Sequence, residues 1–175
     1  MSRYAIRSLV SDDFAALATL ENDVFGALGE AVLCPHYLRL CTEIFPESSF
    51  IALDGDRAVG YLLAFVRERE AWCTTLAVIP AYQKTRVAVQ LIGAFVRHII
   101  DRVDACWFTV KEDNEAARAV HRMLGAVEVG RRIDFYGPGD ERIVATIDRA
   151  TFERMRGKYE RLGLVPPRAS VGAAA

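Results

Sequence analysis

Between residues 49 and 110 the chain makes two kinds of strand connection, and together they fix the class of sheet it can build. Residues 49–53 and 58–66 are short β-rich runs separated by Asp54-Gly55-Asp56-Arg57. An Asp-Gly pair between such runs is a strong hairpin signal, so these two strands pair antiparallel. Residues 72–79 continue the strand series until Pro80, after which Val87, Leu91, Phe95 and Ile99 repeat at every fourth position as a helix. Residues 105–110 follow as a buried type of strand. A strand–helix–strand unit returns by a right-handed crossover and lays its strands parallel. A sheet that holds both kinds of neighbour is mixed, and helices on its faces give a three-layer α/β domain.

The remaining elements fit around that frame. Residues 3–9 alternate weakly as a first strand. Ser11 or Asp12 can then cap a helix carrying Phe14, Leu17, Leu20, Val24 and Phe25. A second helix is predicted over residues 35–45, because Pro35 suits a first turn and Leu38, Cys41 or Thr42, and Phe45 follow one stripe; Pro46 ends it. Residues 114–124 read as a helix stopped by Gly125, and 127–130, 133–136 and 143–147 as closing strands around Gly137-Pro138-Gly139. Residues 150–162 add a charged helix, and Pro166-Pro167 followed by SVGAAA reads as a loose tail. The organisation expected is a main domain over 1–148, then a C-terminal helix and tail over 149–175.

Composition narrows the function. The 175 residues are 52% hydrophobic and 26% charged, as in a folded domain rather than a disordered chain. Lysine plus arginine (22) nearly cancels aspartate plus glutamate (23). That balance argues against nucleic acid as the primary partner. No run reaches the roughly 18 uncharged apolar residues that span a bilayer, and the start MSRYAIRSLVSDD is too charged for a signal peptide, so no membrane partner and a cytoplasmic location are expected. Cys34, Cys41, Cys73 and Cys106 sit in apolar stretches without paired spacing and read as buried free thiols. Cys34, His36 and Cys41 could form a metal cluster, but no second paired ligand set accompanies them, and no metal is expected.

The chemistry concentrates in LAVIPAYQKTRVAVQLI, residues 76–92, where a strand runs through a short loop into a helix. A helix N-terminus carries about half a positive charge and normally attracts acidic residues. Here Lys84 and Arg86 occupy it instead. A phosphate or pyrophosphate seated on the free N–H groups would resolve the conflict. A solvated basic turn is the alternative, at small energetic cost.

LAVIPAYQKTRVA resembles the acetyl-CoA segment of the GNAT superfamily of N-acetyltransferases, whose loop reads Gln or Arg, two residues, Gly, one residue, then Gly or Ala. Gln83 and Ala88 match the first and last positions, and Leu76-Ala77-Val78 followed by Pro80 matches the strand before it. The resemblance implies that Leu76, Ala77, Val78, Gln83, Lys84, Thr85, Arg86, Val87 and Ala88 bind acetyl-CoA as co-substrate. Arg86 stands where the family has glycine, which permits close approach and positive φ. Its side chain could supply a phosphate contact instead.

A second stretch, VKEDNEAARAVHRMLGA, is similar to the family's strand, Asn-capped helix and closing glycine. By resemblance Asn114 lies near the pantetheine arm, and as a residue type it also suits the helix cap. His121 aligns with the family's proton donor to the departing CoA thiolate, a tyrosine in many members. Independently, Ala117, Val120, His121 and Leu124 share or border one helical face, which sets the imidazole beside the buried seam. A hydrogen-bonded, partly buried histidine without a catalytic role is the competing reading. Ala126 replaces a common aromatic.

The resemblance covers about residues 3–148 and implies a GNAT-like acyl-CoA N-acyltransferase fold, a mixed, mostly antiparallel twisted sheet flanked by helices. It further implies direct attack of a primary amine, from a small molecule or a peptide, on the thioester carbonyl, with a backbone N–H near Val78 polarising that carbonyl. Family members often pair, so a homodimer is a further expectation. Residues 133–144 are loosely similar to the closing hairpin of protein N-terminal alanine acetyltransferases, too loosely to assign a peptide acceptor. Many relatives carry a carboxylate on the strand that here reads Trp72-Cys73-Thr74-Thr75. Glu70, Glu21, Asp134 and Tyr136 are the substitutes weighed, each also readable as a solvated surface group. Arg86 and the missing carboxylate keep open a catalytically silent CoA-sensing or interaction module with the same fold.

Overall fold

The computed structural model describes residues 4–168. Its strands are β1 (Ala5–Ser8), β2 (Phe50–Asp54), β3 (Arg57–Arg67), β4 (Glu70–Val78), β5 (Ala105–Val110), β6 (Val127–Arg132) and β7 (Arg142–Asp148). The helices are α1 (Phe14–Val24), α2 (Pro35–Arg39), α3 (Val87–Ile99), α4 (Glu115–Met123) and α5 (Arg149–Arg161). The strands form one seven-stranded sheet in the order β1-β2-β3-β4-β5-β7-β6. Only β4 and β5 run parallel; the other neighbours are antiparallel. The mixed sheet is therefore the one that the hairpin and the crossover demand, and Gly55 takes φ +62° at the hairpin turn.

Helix α3 buries Val87, Leu91, Phe95 and Ile99 against one face of β1–β4. Each such side chain removed from water contributes about 1.5–3 kcal/mol. On the opposite face, Leu17 and Leu20 of α1 and Leu38 of α2 close over β3 and β4. Gly60 on β3 lets α3 approach, since a Cβ there would lie 2.7 Å from the Ala77 carbonyl oxygen and 3.2 Å from Val87 Cγ1. Helix α5 lies along β7, with Phe152 and Tyr159 fully buried and the Tyr159 hydroxyl donating to the Leu124 carbonyl at 2.5 Å. Leu164 and Val165 after it are also buried. Of the tail expected from Pro166, residues 166–168 are exposed and outside any helix or strand, with the Arg168 N–H donating to Glu160 Oε1 at 3.2 Å, and 169–175 lie outside the described residues.

Three local expectations are corrected. The helix expected over 35–45 is α for five residues only; the chain then widens, and the Phe45 N–H reaches back to the Leu40 carbonyl at 3.0 Å. Residues 133–136 are not a strand. Asp134 takes φ +54° and its Oδ1 accepts the Gly139 N–H at 2.7 Å, while Phe135 N–H donates to the Asp140 carbonyl at 2.9 Å, so the segment closes on itself as a loop. Of the four thiols expected to be buried, Cys41 and Cys106 are, Cys73 is half-buried, and Cys34 is exposed, because it precedes Pro35 in extended backbone at the end of the α1–α2 loop.

Two irregularities in β4 set up the site. Leu63 pairs with Thr75 but Ala64 pairs with Cys73, so Thr74 is an extra residue, a β-bulge. Beyond it the strands part: β4 and β5 pair only from Glu70 and Ala105 to Cys73 and Phe108. Residues 74–78 and 109–110 border an opening in the middle of the sheet.

Candidate active site

The loop after β4 is tightly wound. Tyr82 N–H donates to the Ile79 carbonyl at 2.9 Å, Gln83 N–H to Pro80 at 3.2 Å and Thr85 N–H to Tyr82 at 3.3 Å. Gln83 Nε2 also donates to the Val78 carbonyl at 3.2 Å, tying the loop to the end of β4. The Thr85 hydroxyl donates to the Tyr82 carbonyl at 2.6 Å and accepts the Val87 N–H at 3.3 Å. The left-handed backbone that the glycine expectation attached to position 86 falls elsewhere: Lys84 has φ +64°, and Arg86 has φ −81° and ψ −1° as the residue before the helix. Arginine at 86 therefore meets no backbone obstacle. Lys84 and Arg86 are exposed, and the first turn of α3 contains no acidic residue. Cationic side chains, a helix N-terminus and a gap in the sheet lie next to one another, which fits a phosphorylated ligand with a long thin arm.

Across the opening, Asn114 caps α4 with its Oδ1 accepting the Ala117 N–H at 3.0 Å, so the capping expectation holds. His121 stands on the same helix, its ring stacked on Phe108 with centroids 4.5 Å apart and planes 37° apart. Phe108 is the last β5 residue paired with β4, so the imidazole rests where the strands separate. Burial pushes the His121 pKa down to about 4, with the Glu128 carboxylate acting weakly the other way. The ring is neutral at physiological pH.

On the other face of the sheet, the Tyr37 hydroxyl of α2 donates to Thr74 Oγ1 at 2.6 Å, and Thr74 Oγ1 donates to the Leu63 carbonyl at 3.2 Å. The Tyr37 ring packs edge-on against Phe65 with centroids 5.6 Å apart, and Phe65 packs in the same way against Phe45 at 5.0 Å. Burial, the largest influence, raises the Tyr37 pKa far above the ordinary phenol value; Thr74 opposes it. Tyr136, exposed on the β6–β7 loop, lies under the Arg142 guanidinium at 4.9 Å, and Arg142 forks onto Asp140 with both contacts at 2.7 Å.

Residues 14–126 match the family model described as the acetyltransferase (GNAT) family. The chain belongs to the GNAT family. Its fold is that of solved GNAT acyltransferases. The ribosomal-protein-S18-alanine N-acetyltransferase from Escherichia coli superposes with a TM-score of 0.71 at 20% identity, covering 83% of this chain and 93% of that one. The diaminobutyrate acetyltransferase EctA from Paenibacillus lautus, solved with L-2,4-diaminobutyric acid and coenzyme A, gives 0.66 at 15% identity, covering 85% and 96%. No curated protein sequence matches.

Within this GNAT frame the residues weighed as bases fall apart. Glu70 sits at the closed end of β4, where its carboxylate accepts from Trp107 Nε1 at 3.4 Å, away from the opening. Glu21 is not a surface group: it is 1% exposed, accepts the Tyr61 hydroxyl and, at 2.8 Å, the Leu33 N–H, and burial raises its pKa. Asp134 shapes the β6–β7 loop. The structure instead brings Tyr37 and Thr74 to the opening. Neither stood out in the sequence, because their contact joins positions far apart in the chain and no local spacing marks it. Among the described residues there is no group of three or more His, Cys, Asp or Glu side chains placed to hold a metal ion, and no helix is long and apolar enough to cross a membrane.

Proposed function

We propose that this GNAT protein transfers an acetyl group from acetyl-CoA to a primary amine by direct attack, with His121 as the acid for the departing thiolate. The observation that carries the reading is the parting of β4 and β5 beside His121, continuous with the basic start of α3. Loop residues Gln83, Lys84, Thr85 and Arg86, with Val87 and Ala88 at the head of α3, form the seat for the pyrophosphate. Leu76, Ala77 and Val78 border the opening and offer backbone groups to the pantetheine arm and the thioester carbonyl, with Asn114 on the far side. The named acceptors of the two solved neighbours, an alanine of a ribosomal protein and diaminobutyric acid, are both amines, which supports an amine here.

In the reaction the amine nitrogen bonds to the acetyl carbon, the carbon–sulfur bond breaks, the amine loses a proton and the sulfur gains one. Burial keeps His121 neutral at rest, so the ring gives the sulfur the proton of its one N–H while its other nitrogen takes up, through water, the proton that the amine releases, and the negative charge growing on sulfur favours that uptake. The test is thiol release from acetyl-CoA in the presence of amines, alongside calorimetric titration with acetyl-CoA. His121→Phe is expected to lower the transfer rate about 100- to 10,000-fold at unchanged acetyl-CoA affinity. A variant that keeps full rate would show that His121 is not the acid.

A further inference from the structure

Residues 72–75 of β4 carry no carboxylate, yet one polar chain leads from Thr74 to the opening. Thr74 is the bulged residue at the point where β4 leaves β5, and its hydroxyl proton is committed to the Leu63 carbonyl, which can only accept. Thr74 can therefore only accept from Tyr37, so the direction of the Tyr37 proton is fixed. A phenol oxygen that has given its proton away still holds an unused acceptor position.

The two faces of the sheet divide the work. Phe108 pairs with Cys73, and Cys73 with Ala64, so these share the face on which His121 stacks. Tyr37 packs on Phe65, the next residue, whose side chain points to the opposite face. His121 and the Tyr37 hydroxyl thus flank the opening from opposite faces of the sheet.

We propose that the Tyr37 hydroxyl, oriented by Thr74, accepts a hydrogen bond from the acceptor amine, and that the site takes amines that arrive uncharged, α-amines in preference to lysine-type ε-amines. This rests on the acetyltransferase reading above. The titratable groups that act on Tyr37 are Cys41 beside it, Cys73 of β4 and Tyr136 of the β6–β7 loop. Burial pushes both thiols up to about 12. Phenols, thiols and a threonine hydroxyl can hold a neutral amine but present no anion to draw a proton from an ammonium. At about pH 7.4 roughly a quarter of an α-amine is neutral, against about one in a thousand of a lysine side chain. Ionisation alone then favours the α-amine by about two hundredfold.

The experiment follows thiol release from acetyl-CoA as pH varies, using an alanine tripeptide with a free α-amine and Nα-acetyl-lysine amide as acceptors. The tripeptide should react at least about a hundredfold faster near pH 7.4, with a rate limb at the tripeptide's own pKa. Tyr37→Phe, which keeps the ring on Phe65, should raise the KM for the tripeptide about two- to tenfold, leaving acetyl-CoA affinity and the pH limb in place. Thr74→Val should act in the same direction, and the double variant should add little. Equal rates on the two acceptors, an unchanged KM in Tyr37→Phe, or a displaced pH limb overturns the proposal. So does transfer to neither acceptor by a protein that binds acetyl-CoA, whereas loss of acetyl-CoA binding itself overturns the acetyltransferase reading beneath it.

Discussion

The two halves of the sheet are built to different rules. In the β1–β4 half, β3 is buried from Val59 to Ala64 on both faces, between α3 and the α1–α2 layer. In the β5-β7-β6 half, β7 alternates: Ile143, Ala145 and Ile147 are buried under the helices while Arg142, Val144 and Thr146 stay half-exposed, and every residue of β6 is exposed. One half is a closed slab and the other a sheet with an open face. The opening between β4 and β5 lies on their border, so a ligand can be gripped by rigid structure on one side and reached from solvent on the other.

That contrast predicts how unevenly the molecule should respond to substitution. Phe95→Ala, in the slab, should cost about 3–5 kcal/mol in chemical denaturation, whereas Val144→Ala on the open face should cost well under half as much. Comparable losses would mean that the open face is covered in solution. Gly60→Ala should cost about 1–3 kcal/mol, because the new Cβ would lie 2.7 Å from the Ala77 oxygen of β4 and 3.2 Å from Val87 Cγ1 of α3, crowding both. The same variant should weaken acetyl-CoA binding in calorimetry.

The halves should also differ in the sign of their pH response. Burial raises the Glu21 pKa, so its contribution is complete below the unfolded carboxyl value and fades as pH rises through the folded one. His121 is pushed down to about 4, so its contribution is complete above the unfolded histidine value, near 6.5, and fades as pH falls toward the folded one. Between about pH 4 and 7, thermal melts of wild type against Glu21→Gln and against His121→Phe should give difference curves of opposite slope. Smallest of all, Val127→Ser on β6 should stay within about 0.5 kcal/mol of wild type.

The slab was the legible half. Its hairpin is announced by Asp54-Gly55, its crossover helix by the fourth-position repeat from Val87, and its turn into the loop by Pro80, all of them local signals. The open half gave less, since residues 133–136 carry a strand-like composition that Asp134 overrides by bonding to Gly139. The site was legible where it is sequential, in the Gln83–Ala88 loop and the Asn114 cap. It was illegible where it is assembled: Glu21 looks like a helix-surface acid until Tyr61 of β3 closes over it, and Tyr37 meets Thr74 only after α2 folds onto the sheet. The positive φ at Lys84 rather than Arg86 was likewise invisible, because both residues are ordinary side chains that favour negative φ.

The extra residue at Thr74 also fixes the parity of β4. Before it, the even-numbered Trp72 shares a face with Phe65; after it, the odd-numbered Thr75 and Ala77 share that face with Leu63 and Tyr61. Losing Thr74 itself would only restore a regular ladder, since Cys73 would still face Ala64 and Thr75 still face Leu63; losing Leu76 or Ala77 beyond it would leave the strand's composition almost intact, yet it would exchange left for right along the cofactor edge. Val78, now turned toward Val87, would point at α1, and the side chains that face the nucleophile would face the helix instead. Length variation beyond the bulge is thus a switch of handedness in the site, and substitutions will be tolerated there more readily than a change in count.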